Sequence, residues 1–376
     1  MADGYRICTR CIMDTTVPGI RFDEAGMCNL CQKFIERMSL ELRYDAGGQA
    51  SLQSLVEKIK QRGEGHNYNC LIGISGGIDS SYVAYLVKKK FGLRPLAVHI
   101  DNGWDSEIAV ANMEQVIKRL DIDLYTYVLD WEEFKDLQVS FLKSSISHID
   151  IPSDHAIWAI LTRIAVDRGI RYFISGYSIA TEALMPKSWL YDFKDARLIN
   201  GIQRQFGHCK LKNYPQLRPL DLVYYLLVKG FKNIRILSYV PYVKQEAKRV
   251  LIEELGWRDY GSKHYENIFT RFFSAYYLPR KFGYDLRRPF ISALILSGQM
   301  TRDEALREIQ SPPAPADQLE EDIEFVIKKL NLSREEFEQI MRASPKLFSD
   351  YPNSYACWQR FNWLAQAVRK RSSRVG

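Results

Sequence analysis

The run Ser75-Gly76-Gly77-Ile78-Asp79-Ser80-Ser81 constrains this chain more than any other stretch. It follows the apolar residues Cys70-Leu71-Ile72-Gly73-Ile74, which read as a buried strand. It precedes Tyr82-Val83-Ala84-Tyr85-Leu86-Val87, which reads as a helix. A glycine pair between strand and helix lets the backbone approach a bound group closely. The helix N-terminus aims unpaired N–H groups and the positive end of its dipole at that group. The serine hydroxyls add donors, and Asp79 offers a carboxylate to a magnesium ion. The expected ligand is an oligophosphate.

The loop is not of the Walker A type, because no Gly-Lys-Ser/Thr follows the glycines. It resembles the SGGxDS signature of the ATP pyrophosphatases, or PP-loop enzymes, which cleave ATP between the α- and β-phosphates. That resemblance implies adenylation of a substrate oxygen.

Four of the seven cysteines form two pairs, Cys8-Thr9-Arg10-Cys11 and Cys28-Asn29-Leu30-Cys31, with 16 residues between them. Four thiolates complete a tetrahedral shell that suits structural Zn²⁺, with an iron–sulfur cluster as the rival. The intervening Pro18, Gly19 and Gly26 read as turns of a zinc ribbon too small to fold without its ion. Cys70, Cys209 and Cys357 are isolated and read as buried apolar residues rather than nucleophiles.

Downstream, helical spacing covers residues 51–62, and strands are expected at 70–74, 95–100, 124–129 and 171–176, alternating with helices. This pattern predicts an α/β fold with a parallel sheet covered by helices. Ligands in such sheets sit beyond the carboxyl ends of the strands, where Asp79, Asp101 and Glu182 fall. Residues 243–255 read as a helix capped by Gly256, whereas 190–260 as a whole resist assignment. Thr301 with Glu304 and Ser333 with Glu336 form capping boxes, the second with Leu332 and Phe337 as its hydrophobic staple. The expected division is a zinc ribbon over 1–45, the ATP domain over 46–190, a substrate-binding and phosphate-contacting region over 191–310, and a linker with a helical unit over 311–376.

The net charge of +7 favours anionic ligands. The basic tail Arg369-Lys370-Arg371-Ser372-Ser373-Arg374 reads as a solvated end, with contact to an anionic partner or membrane surface as the alternative. No apolar run approaches the ~20 residues of a membrane span, and the first residues lack the apolar core of a signal peptide. The reading is cytoplasmic.

Cations and aromatics mix in Tyr260-Gly261-Ser262-Lys263-His264-Tyr265-Glu266 and continue through Phe269-Thr270-Arg271-Phe272-Phe273 to Arg287-Arg288. Such a mixture can bind RNA or a nucleotide sugar. The cysteine pairs, the glycine loop, the Lys263-His264-Tyr265-Glu266 run and the stretch from Leu278-Pro279-Arg280-Lys281-Phe282-Gly283 to Ser297-Gly298-Gln299-Met300-Thr301-Arg302 together resemble the bacterial N-acetyl sugar amidotransferases of the WbpG and PseA type, in motif order over nearly the whole chain.

The resemblance implies an adenine nucleotide α-hydrolase-like fold and an ATP-dependent amidotransferase. It would convert an acetamido group of a nucleotide sugar to an acetamidino group in O-antigen or related glycan synthesis. It implies that Ser75, Gly76, Gly77, Ser80 and Ser81 cradle pyrophosphate and that Asp79 and Glu182 hold Mg²⁺. Gly176 lies beside them in Ser175-Gly176-Tyr177-Ser178, a stretch similar to one in NAD synthetases. The nucleoside is expected at Ile100 and Asp101, although Asp101 reads equally well as an ordinary turn residue. Lys263, His264 and Glu266 are the further catalytic candidates; Arg271, Lys281, Arg287 and Arg288 are the candidates for substrate phosphates.

No lone cysteine has a glutaminase setting, so ammonia is expected from a separate glutaminase subunit with a cyclase-like companion, similar to the pair in histidine biosynthesis. A homo-oligomer is compatible with the sequence, and nucleic acid is not expected as a partner. Two alternatives are a tRNA-modifying, thiolase-like PP-loop enzyme and a non-catalytic nucleotide-binding scaffold.

Overall fold

Among the described residues, five short strands form one parallel sheet, in the spatial order Asp123–Val128, Pro95–Asp101, Cys70–Gly73, Tyr172–Ser175 and Lys232–Arg235. The computed structural model describes residues 4–261 and 265–355. The strands are β1 Cys70–Gly73, β2 Pro95–Asp101, β3 Asp123–Val128, β4 Tyr172–Ser175 and β5 Lys232–Arg235. The first four are those expected from the sequence; β5 is new. The preceding helices are α1 Asn29–Glu41 and α2 Ala46–Arg62, and α3 Ile78–Tyr85 follows β1. A π-helical turn over Leu86–Lys90 extends α3, and Gly92 then turns the chain at φ +59. Next come α4 Glu107–Leu120, α5 Trp131–Ser144 and α6 Ile151–Asp167.

Successive strand residues point to opposite faces, and the core divides accordingly. Cys70, Ile72, Ile74 and Ala97 pack with residues of α2, α3, α4 and the helix Lys244–Leu255. Leu71, Leu96, Val98 and Ile100 pack on the other side with residues of α5 and α6. Both faces are therefore buried, which is why these strands are almost continuously apolar.

The expected ends of several elements are present. Gly256 caps Lys244–Leu255 in the left-handed region at φ +66. Both capping boxes close, Thr301 with Glu304 and Ser333 with Glu336. Leu332 and Phe337 share one apolar cluster.

The described parts of the two terminal segments share a buried cluster. The four paired cysteines and Phe34 belong to the same buried cluster as Ile323, Val326, Phe337 and Ile340. Arg302 donates to the carbonyls of Cys8 and Cys11 at 2.9 and 3.1 Å, and Arg288 pairs with the fully buried Asp14 at 3.1 Å. The ribbon is thus clamped to the body by two arginines. The helix Ala316–Lys329 docks through Asp322, which chelates the guanidinium of Arg271 with two 2.6 Å contacts.

Candidate active site

The glycine loop sits at the carboxyl end of β1, on the floor of a cleft of about 430 Å³. Gly76 has φ +75, and a Cβ there would meet the Ala109 carbonyl oxygen at 2.0 Å. Only glycine fits this turn. Its carbonyl accepts the indole N–H of Trp257 at 2.9 Å. Gly77 is the N-cap of α3 and brings no side chain to cap it. Apart from the Ile78 N–H, which Tyr260 accepts, the first turn is left without a cap from its own N-cap side chain, as suits an oligophosphate site. Ser75 and Ser80 hydroxyls lie 3.2 Å apart, and Ser75 Oγ accepts from Gly77 N–H at 3.3 Å. Ser81 is buried behind the loop.

Asp79 and Glu182 both line the cleft. Tyr242 donates its hydroxyl to Asp79 Oδ1. Burial first, then the Asp79 carboxylate, pushes that phenol well above the usual tyrosine range, with Glu182 adding to the effect. The two carboxylates thus act on one hydroxyl from the same region of the cleft. Gly176 is needed for close approach, since a Cβ there would lie 3.2–3.4 Å from the backbone of Asp79 and Ser80. Glu266 approaches the loop from the opposite wall, 3.3 Å from where a Gly77 Cβ would sit.

Sequence reasoning missed several lining residues. Tyr260 accepts the Ile78 N–H at 3.3 Å, and its phenol is raised by burial and then by Glu266. Lys244, Lys248 and Asp154 also line the cleft. Asp154 lies 3.4 Å from His148 Nε2, and His148 Nδ1 is 3.0 Å from the Tyr191 carbonyl. Behind them, Asp150 accepts from Thr270 at 2.8 Å. Burial first, then the Asp154 carboxylate, pushes its carboxyl up to about 6. The sequence hint for Tyr260 was its place at the head of the mixed run Tyr260–Glu266; Lys244, Lys248 and Asp154 had none.

Among the described lining residues, Asp79, Asp154, Glu182, Asp259 and Glu266 oppose Lys244 and Lys248. Asp259 and Lys248 neutralise each other at 2.6 Å. A polyphosphate beside carboxylates this numerous is favoured by a bound cation.

The other expected site residues are not among the described lining. Lys263 and His264 fall outside the described residues, as do Cys357 and the basic tail. Ile100 is buried in the sheet core, and Asp101 accepts the Gly103 N–H at 2.8 Å as a turn residue; neither lines the cleft. The four cations expected on substrate phosphates are all engaged in structure. Arg271 is buried against Asp322, and Lys281 donates to the Ala343 carbonyl at 2.7 Å, past the end of the helix Arg334–Arg342. Arg287 pairs with Asp285 at 2.7 Å, and Arg288 pairs with Asp14. The aromatics Phe269, Phe272 and Phe273 beside them are core residues. From Phe269 to Arg288 the mixed stretch is a packing seam, because helical spacing turns its rings inward.

Cys70 is buried, as expected, and burial raises its thiol. Cys209 is exposed, contrary to expectation, yet partial burial and the Asp136 carboxylate push its thiol up to about 11. Neither is a thiolate at neutral pH.

The four paired cysteines form a buried group with all sulfurs within 4.8 Å of one another. Neighbouring sulfurs lie 3.5–3.9 Å apart, close to the ~3.8 Å edge of a tetrahedral thiolate shell with ~2.3 Å bonds. Backbone N–H groups of Met13, Cys28 and Cys31 donate to the sulfurs at 3.2–3.4 Å, which favours thiolates. The donor set fits one tetrahedral ion.

Two families match the chain. The C-terminal domain described as LPS biosynthesis protein WbpG-like matches residues 266–365, and NAD synthase matches residues 49–138. An uncharacterised protein of Methanocaldococcus jannaschii, MJ1599, is 24% identical over 273 residues, 72% of this chain and 82% of the relative. Among solved structures, NMN synthetase from Francisella tularensis aligns over 77% of this chain and 98% of its own, at 14% identity and a TM-score of 0.34. A predicted subunit of tRNA methyltransferase from M. jannaschii aligns over 49% of this chain and 75% of its own, at 16% identity and a TM-score of 0.28. Neither superposition is close enough to bear on function. The two family matches make the chain an ATP-using enzyme of the amidating kind. A phosphate loop within the NAD synthase match, carried with a WbpG-like C-terminal domain match, is consistent with a WbpG-type member of the PP-loop superfamily.

Proposed function

We propose that the chain converts an acetamido group of a nucleotide-activated sugar to an acetamidino group, cleaving ATP to AMP and pyrophosphate. The observation that carries this reading is the glycine-capped α3 terminus facing a cleft rich in carboxylates, in a chain whose residues 266–365 match a WbpG-like domain. An amide oxygen is a poor leaving group until it is esterified. Attack of that oxygen on the α-phosphate forms the O–P bond of an adenylyl imidate and releases pyrophosphate. Ammonia then adds at the imidate carbon, and the C–O bond breaks as AMP departs with the former amide oxygen.

The loop backbone at Gly76 and Gly77, with Ser75 and Ser80, holds the departing pyrophosphate, an electrostatic and positioning role. Magnesium, when bound, neutralises phosphate charge; Asp79 and Glu182 are the residues to hold it, and Tyr242 orients Asp79. Lys263 is the candidate for the α-phosphate, with His264 and Glu266 as candidates for orienting substrate or moving protons. Asp154, backed by His148, joins them from the structure. Structural Zn²⁺ in the cysteine shell, a cytoplasmic setting and ammonia from a glutaminase partner with a cyclase-like companion complete the proposal.

The test combines ATP, Mg²⁺, ammonium and diacetamido nucleotide sugars. The reading requires AMP and pyrophosphate to appear only with a sugar whose mass changes by replacement of one oxygen by NH. Asp79→Ala should abolish both products while the fold persists. AMP formation with bulk tRNA and with no sugar would overturn the reading.

A further inference from the structure

We propose that residues 219–228 dock this protein on an anionic lipid surface. The segment is a short helix, Pro219–Val223, continued by a π-helical turn, Tyr224–Val228, and neither contains a buried residue. Leu220 and Leu227 are 81% and 79% exposed, and Val223, Tyr224, Leu226 and Val228 are also exposed. At about 100° per residue these six sweep roughly 200° of the helix circumference. Asp221, Leu222 and Tyr225 are the half-buried ones. A surface helix normally shows the reverse, polar side out, and a contiguous apolar face of this kind marks an interaction site.

The segment stands on a fixed base. Glu133 of α5 accepts the backbone N–H groups of Lys212, Asn213 and Tyr214 at 2.8–3.1 Å. Asp136 accepts those of His208 and Cys209 at 2.9–3.1 Å. After the segment, Phe231 is buried and β5 joins the sheet. The apolar side is therefore held outward.

Charge identifies the occupant. Residues 207–235 carry Lys210, Lys212, Arg218, Lys229, Lys232 and Arg235, all exposed, against Asp221 in the segment and Glu133 and Asp136 of α5 at its base. Arg235 is partly neutralised by Glu41 at 3.0 Å. An apolar arc with cations at both ends and a tyrosine within it matches the interfacial region of an anionic bilayer. A second copy fits poorly, because a two-fold contact would bring the same cationic rim against itself. Ten helical residues span only ~15 Å, half a bilayer core, so the segment lies in the interface. No helix among the described residues is long and apolar enough to cross a membrane. The segment ends where β5 begins, with Lys232 opposite Tyr172 at the amino end of β4. The phosphate loop lies at the carboxyl end of the sheet, so docking leaves the cleft open. The inference is independent of the reaction proposed above.

Cosedimentation of the full chain with phosphatidylcholine vesicles, with and without phosphatidylglycerol, tests it. The expected result is binding to the phosphatidylglycerol vesicles that weakens with salt. It should fall by about tenfold or more in Leu226→Asp/Leu227→Asp and in Lys229→Glu/Lys232→Glu. Circular dichroism and ATP cleavage of both variants should match wild type, since neither pair is buried or in the cleft. Three results would each overturn the proposal. One is no vesicle binding. Another is binding unaltered by the substitutions, which would place it on the tail at 369–374. The third is a concentration-dependent rise in mass, abolished by Leu226→Asp/Leu227→Asp, without vesicle binding.

Discussion

The indole Nε1 of Trp257 donates to the carbonyl oxygen of Gly76 at 2.9 Å, tying the helix-end loop after Gly256 to the phosphate loop 181 positions earlier. Trp257 is 2% exposed, so no water replaces that donor. Trp257→Phe keeps most of the ring and removes the bond. A buried acceptor left unpaired costs about 1–3 kcal/mol. Urea denaturation should show that loss, and pyrophosphate release should show a raised KM for ATP. An unchanged KM would mean that the loop holds its shape without the tryptophan.

Gly76→Ala makes the loop itself fail. The substitution meets both a left-handed backbone and the Ala109 carbonyl at 2.0 Å. Strain of about 1–3 kcal/mol or more is expected, with nucleotide binding lost by calorimetry even in molecules that remain folded. Retained binding would remove the loop from the site.

Arg271→Ala distinguishes a structural cation from a substrate ligand. Breaking its buried pair with Asp322 should cost about 3–5 kcal/mol in denaturant unfolding. The KM for a nucleotide sugar, measured on the folded fraction, should hold. A stable variant with a large KM increase would reverse the assignment.

Asp150 carries a carboxyl raised to about 6 by burial and then by Asp154. A carboxyl that binds its proton more tightly when folded stabilises the fold below its unfolded value of ~4. That contribution is lost as pH rises through about 6. Asp150→Asn keeps an acceptor for Thr270 and does not titrate. The unfolding free energy of wild type minus that of the variant should fall by about 2–3 kcal/mol between pH ~4 and ~7. A flat difference would contradict the shift.

The cysteine shell predicts one zinc per chain by elemental analysis. Its removal by a chelator should lower the melting temperature, because Arg288 and Arg302 clamp the ribbon to the rest of the fold. Cys28→Ser should reproduce the effect. Iron with a visible absorbance band would instead identify a cluster.

The phosphate loop, the cysteine pairs and four strands were legible in the sequence because each is a local pattern, read over a few consecutive residues. The capping boxes were legible for the same reason. The fifth strand was not, since Lys232-Asn233-Ile234-Arg235 is a polar edge strand without apolar alternation. Tyr242, Trp257 and Tyr260 reach the loop from 163 to 182 positions away, a distance no local pattern encodes. The cations at 271, 281, 287 and 288 misled for the converse reason. Their partners, such as Asp322 for Arg271 and Asp14 for Arg288, are visible only after folding.

The most direct test follows the acetamido oxygen. A nucleotide sugar labelled with ¹⁸O in its acetamido carbonyl, turned over with ATP, Mg²⁺ and ammonium, is analysed by mass spectrometry. Activation by adenylation predicts the label in the phosphate of AMP and its absence from the amidine sugar. Label in orthophosphate, or AMP without label, would contradict it.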